Sequence, residues 1–270
     1  MASHHDYSGV PLGQPPMRNW NLTDDSTRYD RLVAANSDAD LVLSWSLWAG
    51  IAGVVGIFVI LVFLSILRSR RARSNPFNMY LVYLMIPDMA FTIGCAVTCA
   101  LNASQGHYWS ERMCRAQSAY LVWGLTGNNW LNGTIAWQLH KMLRSSHRRL
   151  RYRPPTHGQV FQHAMLCYAW AAIVASWGVL PMDHFLHQTN ALKGLACLPV
   201  EYSTTSTIFY FAVYVPAAFL IPMNYALYVL FDVLYHKLLP PRGKRRLISF
   251  YFFRVSTVSL MGFYALFILP

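Results

Sequence analysis

CRAQSAYLVWGLTGNNWLNGTIAWQLHKMLRSSHRRLRYR, residues 114–153, decides how the chain is read. Between Arg115 and Lys141 it carries no formal charge, and beyond Lys141 the arginines come in a burst. A helix of about thirty residues, rising about 1.5 Å per residue, is about 45 Å long, enough to cross a bilayer at a tilt and project beyond it. Its polar and small members recur at helical spacing. Gln117, Gly124, Asn128, Ile135 and Gln138 follow one another on one face, with Leu121 and Leu131 or Asn132 between them. In hydrocarbon such a face must turn toward other protein. The stretch therefore predicts a central helix wrapped by its neighbours.

Composition agrees with a membrane setting. Of 270 residues, 55% are hydrophobic and 12% charged, about half the charged share of an ordinary soluble domain. The formal charge of +11 does not point to nucleic acid, because the cations sit in short clusters between long apolar runs, where the positive-inside rule accounts for them. Residues 1–40 are polar, lack the apolar core of a cleavable signal peptide, and read as a disordered extracellular tail. The first span must then act as its own insertion signal.

The expected fold is all-α, a polytopic bundle over residues 41–270 with six transmembrane helices at about 41–66, 77–101, 114–143, 159–180, 204–236 and 247–270. Arg68, Arg70, Arg71 and Arg73 follow the first span, Lys141 to Arg153 the third, and Lys237, Arg242, Lys244, Arg245 and Arg246 the fifth. That bias puts the N-terminus outside and predicts a multi-pass protein of the plasma membrane. Asn21 and Asn102 open glycosylation sequons on the outer side. Gly50, Gly53 and Gly56 offer the first span a small face for close helix approach. Pro216 and Pro222 in the fifth span are tolerated where neighbours re-satisfy the freed backbone. Residues 181–203 read as a long outer loop.

Asp88 is the most informative single residue. A carboxylate near mid-depth must face the bundle and find a polar partner or take up a proton. Asn128 lies fourteen residues after Cys114, about 21 Å down the helix, which brings it to the depth of Asp88 and predicts a hydrogen bond between them. His184 and His187 lack a third ligand, and the five cysteines show no metal-ligand spacing, so neither a metal site nor a cofactor is expected. Paired carboxylates and serine elbows are not found, which argues against an enzyme. Asp88 and the polar stripe leave a transporter or channel as the alternative, against which stands the lack of inverted repeats.

Asn78, Leu81 and Asp88 in the second span, Cys114 at the start of the third, Trp170 in the fourth, Cys197 in the second outer loop and Pro216 in the fifth together resemble the G-protein-coupled receptor superfamily. The run Cys114, Gln117, Gly124, Trp130, Ile135-Ala136 and Leu139 looks nearest its cyclic-AMP-receptor-like branch. The resemblance implies a disulfide between Cys114 and Cys197. It also implies a polar pocket at Asp88 and Asn128 that can hold sodium, an extracellular ligand, and a heterotrimeric G protein as cytosolic partner. Two departures are plain. Gln138-Leu139-His140 stands where the rhodopsin-like acidic-Arg-aromatic triplet would fall, and the helix-6 proline motif is reduced to FILP, ending at Pro270. By this resemblance a seventh helix is missing, which implies an incomplete form or a truncated one that does not signal alone.

Overall fold

The computed structural model describes residues 39–106, 111–177, 188–192, 196–200 and 204–238. Helix α1 spans Ala39–Arg68 and is followed by a single turn, α2, at Arg70–Arg73. Ser69 caps that turn, its hydroxyl accepting from the Ala72 N–H at 3.2 Å. Helix α3, Pro76–Gln105, opens on Asn75, whose side chain accepts from the Phe77 N–H at 3.0 Å. Pro76 occupies the first turn, where a missing N–H leaves no bond unmade. The helix stops at Gly106, which takes φ 73° and returns its N–H to the Asn102 carbonyl at 2.9 Å. Only glycine adopts that left-handed stop without strain.

Helix α4, Glu111–His147, is the longest element at 37 residues, and α5 covers His157–Trp177. Two short strands, β1 (Gln188–Leu192) and β2 (Ala196–Val200), pair antiparallel with Cys197 opposite Ala191. A hairpin thus occupies part of what reads from sequence as loop. The fifth span begins as α6, Thr204–Phe209, passes through two π-helical segments at Tyr210–Tyr214 and Pro216–Leu220, and ends as α7, Ile221–Tyr235. In the π segments, Val215 N–H donates to Tyr210 and Ile221 N–H to Pro216, five residues back in each case. The expected sixth span, 247–270, lies outside the described residues.

The architecture is a helix bundle about α4. Helices α3, α5 and α7, the second π segment and the hairpin all pack against α4, while α1 packs against α3. Near the basic-loop end, Tyr80 and Leu84 of α3, Leu131, Ile135 and Leu139 of α4, and Val160, Ala164 and Cys167 of α5 form one core. Toward the other end Val122, Val174, Ala175, Tyr214, Val215, Ala218 and Phe219 form a second. The stripe read from sequence is enclosed: Gln117, Gly124, Asn128, Ile135 and Gln138 are all buried.

Among the described residues, four helical stretches, 42–68, 76–105, 157–177 and 207–235, are long and apolar enough to cross a membrane. Helix α4 is not among them. Its polar content is hidden from lipid by the other helices, so hydropathy alone undervalues the most enclosed helix. Conversely α1 leaves Leu47, Ile51, Val54, Phe58 and Leu61 exposed, as a lipid-facing helix does. Of the three glycines expected to give a small face, Gly56 makes a close approach. A Cβ at Gly56 would meet Thr92 Oγ1 at 3.2 Å, but at Gly50 and Gly53 it would meet nothing within 4 Å among the described residues.

Candidate functional site on the central helix

Asp88 and Asp232 are the acidic residues whose side chains are described, and both fasten to α4. At mid-depth the Asn128 amide donates to Asp88 Oδ1, and Asn132, one turn along, donates to Asn128 Oδ1 at 2.7 Å. The structure thus brings together the two residues singled out for a polar core and adds a third. An amide can do this because its two ends differ: Asn128 donates with its nitrogen while accepting at its oxygen. The charged or polar oxygens so enclosed avoid contact with hydrocarbon.

Asp88 is placed by backbone irregularity. Pro87 inside α3 cannot donate to the carbonyl four residues back, which is that of Tyr83. The hydroxyl of Tyr168 on α5 donates to that carbonyl instead. Helix α4 approaches this break closely, for a Cβ on Gly124 would lie 3.3 Å from the Pro87 carbonyl oxygen and one on Gly127 would lie 3.6 Å from Pro87 Cγ. The proline, the two glycines and the tyrosine set the path along which Asp88 meets Asn128.

A second irregularity lies across α4. Ile221 N–H bonds to Pro216, so it is lost to Ala217, and the next residue along is Pro222, without an N–H. The Ala217 carbonyl is taken by two indoles, Trp130 Nε1 at 2.8 Å and Trp170 Nε1 at 3.2 Å. Trp170 is therefore a backbone donor. Gly133 makes room here, since a Cβ on it would sit 3.3 Å from Pro222 Cβ.

At the end that carries the basic residues, His140 Nε2 lies 2.7 Å from Asp232 Oδ2 on α7, and His236 Nδ1 lies 3.1 Å from Asp232 Oδ1. Asp232 and His140 are buried, with Tyr228 edge-on to the His140 ring at 6.4 Å. The two histidines engage different oxygens, and no group of three metal-type ligands converges among the described residues. Nearby, Tyr152 donates to Gln138 Oε1 at 3.2 Å, and burial pushes its phenol above the ordinary value. Sequence reading noted His140 only as a departure and passed over Asp232. The available signal was an ionisable residue inside an apolar run with a histidine four residues on.

The other residues singled out from sequence fall elsewhere. Asn102 is fully buried in the last turn of α3. As folded, its side chain is enclosed by the bundle. Asn21, His184 and His187 lie outside the described residues. Of Cys114 and Cys197 only the backbone is described, with β2 packed against α4. Cys95, Cys99 and Cys167 are free thiols within the bundle.

No protein-family profile and no curated protein matches the chain. Among solved structures, the crystal structure of squid rhodopsin superposes with a TM-score of 0.60 at 13% identity, covering 72% of this chain and 52% of that one. The chain thus spans about half the length of that structure. At such identity the likeness speaks for the fold, and with the apolar helices it makes the chain a multi-pass membrane bundle of G-protein-coupled-receptor-like architecture.

Proposed function

We propose that the chain is a receptor that binds a ligand among its outer helix ends and transmits the signal to a heterotrimeric G protein at the face bearing the basic loops. Its place is the plasma membrane, with the N-terminus outside, and its nearest branch is the cyclic-AMP-receptor-like one. The observation that carries this reading is the pair of acid contacts on α4, Asn128 with Asp88 at mid-depth and His140 with Asp232 near the basic end. A central helix fastened at two depths to two different helices can change partners at one end in response to the other, which is what transmission requires. In the outer half, the hydroxyls of Ser118, Thr126 and Tyr214 are buried without a hydrogen-bond partner among the described residues, a supply of polar contacts for a ligand. A disulfide between Cys114 and Cys197 would tie the hairpin to α4, and the packing of β2 on α4 supports that reading.

The test is agonist-free nucleotide exchange on a panel of heterotrimeric G proteins, using the full chain in nanodiscs and its Asp232→Asn variant. Release of the α4–α7 contact is expected to raise exchange several-fold on at least one G protein. No exchange above empty discs from either form, together with ion flux in proteoliposomes, would replace the receptor with a channel or transporter.

A further inference from the structure

The first and second basic loops are built more firmly than a solvated run of arginines needs. Arg70, Arg71 and Arg73 are exposed on the capped turn α2. That turn is held from two sides: the Asn78 side chain donates to the Ala72 carbonyl at 3.0 Å, and His157 Nε2, at the start of α5, meets the Arg73 carbonyl at 2.8 Å. The second loop is fixed back to α4 through Tyr152 and Gln138. From residue 65 to 81 and from 137 to 163 there is no acidic residue.

The end of α4 adds a second, independent peculiarity. Arg149 N–H bonds to Ser146 and Leu150 N–H to Ser145, the pattern that terminates helices with a left-handed residue, ordinarily glycine. Here that residue is Arg149, at φ 56°. The residue after it usually folds back on the helix, yet Leu150 is 61% exposed. A strained cation beside an outward-facing leucine is a combination that stability alone disfavours. It suits a membrane interface, where the side chain of leucine enters the acyl boundary and guanidinium groups meet phosphate.

We propose that Arg70, Arg71 and Arg73 with Arg149, Arg151 and Arg153 form a preorganised surface for a polyphosphorylated anionic lipid head group, with Leu150 as its apolar anchor. Planar guanidinium groups favour phosphate over a diffuse negative surface, because each can bond two oxygens at once. The proposal rests on the membrane fold and not on coupling to a G protein, so its failure leaves the receptor reading untouched.

The test uses the full chain in phosphatidylcholine nanodiscs doped with phosphatidylinositol 4,5-bisphosphate. Matched discs carry phosphatidylserine at equal total charge, and a third set is plain phosphatidylcholine with soluble inositol trisphosphate. Thermal stability and lipid retention in native mass spectrometry are read. Retention and stabilisation by the bisphosphate above both controls are expected. Arg149→Gly should raise the melting temperature in plain discs, by relieving the backbone, while weakening lipid retention about fivefold. The Arg70→Gln/Arg71→Gln/Arg73→Gln variant should weaken it by more than about tenfold. Equal effects of phosphatidylserine, equal effects of the soluble head group, or lipid retention unchanged in Arg149→Gly would each overturn the proposal. So would an acidic peptide binding this face with no lipid preference.

Discussion

Gly94 shows how tightly single positions are set where α3 meets α4. A Cβ there would lie 2.9 Å from the ring of Tyr120, whose hydroxyl is anchored 2.7 Å from Thr98 Oγ1. Gly94→Ala is expected to destabilise the protein by about 1–3 kcal/mol, the usual result of overpacking. Gly53→Ala, where a Cβ would meet nothing within 4 Å among the described residues, should change stability by less than about 1 kcal/mol. Equal melting temperatures for the two variants would show that Tyr120 simply swings away. Asn128→Ala should cost about 1–3 kcal/mol by leaving the half-buried Asp88 without its amide donor, read as a lowered melting temperature in nanodiscs. The first of these contacts could not be read in advance, but the depth of Asn128 could. A helix rises by a fixed amount per residue, so fourteen residues from Cys114 set its level in the membrane, and an aspartate in a neighbouring span needs a polar group at that level. His140 and Asp232 are 92 residues apart, in helices whose relative rotation no local pattern fixes. Their meeting depends on the bundle as a whole.

At the scale of elements, the carbonyls freed by Pro87 and Pro222 are matched by donors from another helix, and this makes strong predictions about pairs of substitutions. Tyr168→Phe removes the donor to the Tyr83 carbonyl, which should cost about 1–2 kcal/mol. Pro87→Ala restores an N–H able to bond that same carbonyl within α3. The combined variant should therefore lose less stability from Tyr168→Phe than the wild type does, and a thermal double-mutant cycle with no coupling would contradict the assignment. At Ala217 the two indoles share one oxygen, so either can cover for the other. Trp130→Phe and Trp170→Phe should each be mild, with the double variant costing about 1 kcal/mol more than their sum. The helices themselves are legible in the sequence as apolar runs between basic loops, and the two prolines of the fifth span announce irregularity. Its form is not announced. A π turn arises when one residue too many must fit between packed neighbours, and that surplus exists only relative to α4 and α5. The hairpin escapes notice for the opposite reason: its short strands, QTNAL and ACLPV, have too little alternation to mark them out from loop.

For the whole molecule, the question is whether α4 carries information between its two acid contacts or merely makes both. Asn128 and His140 are twelve residues apart, about 18 Å along the axis and about 120° around it, so they face α3 and α7 on different sides of one rod. Sites so far apart ordinarily act independently, with effects that add to within a few tenths of a kcal/mol. A straight helix seated among bistable contacts is an exception, because a tilt or rotation that opens one contact moves the other. If α4 moves as a body, Asn128→Ala and Asp232→Asn should be non-additive in agonist-free G-protein activation, with a coupling of about 1 kcal/mol or more. Their effects on thermal stability, which report local bonding, should still add. A charge-preserving exchange, His140→Asp with Asp232→His, separates position from bonding. It should return basal activation toward that of the wild type, whereas either change alone should not. Additive activation in the first experiment would mean that the two contacts work separately, and that α4 is a common support with no part in carrying the signal.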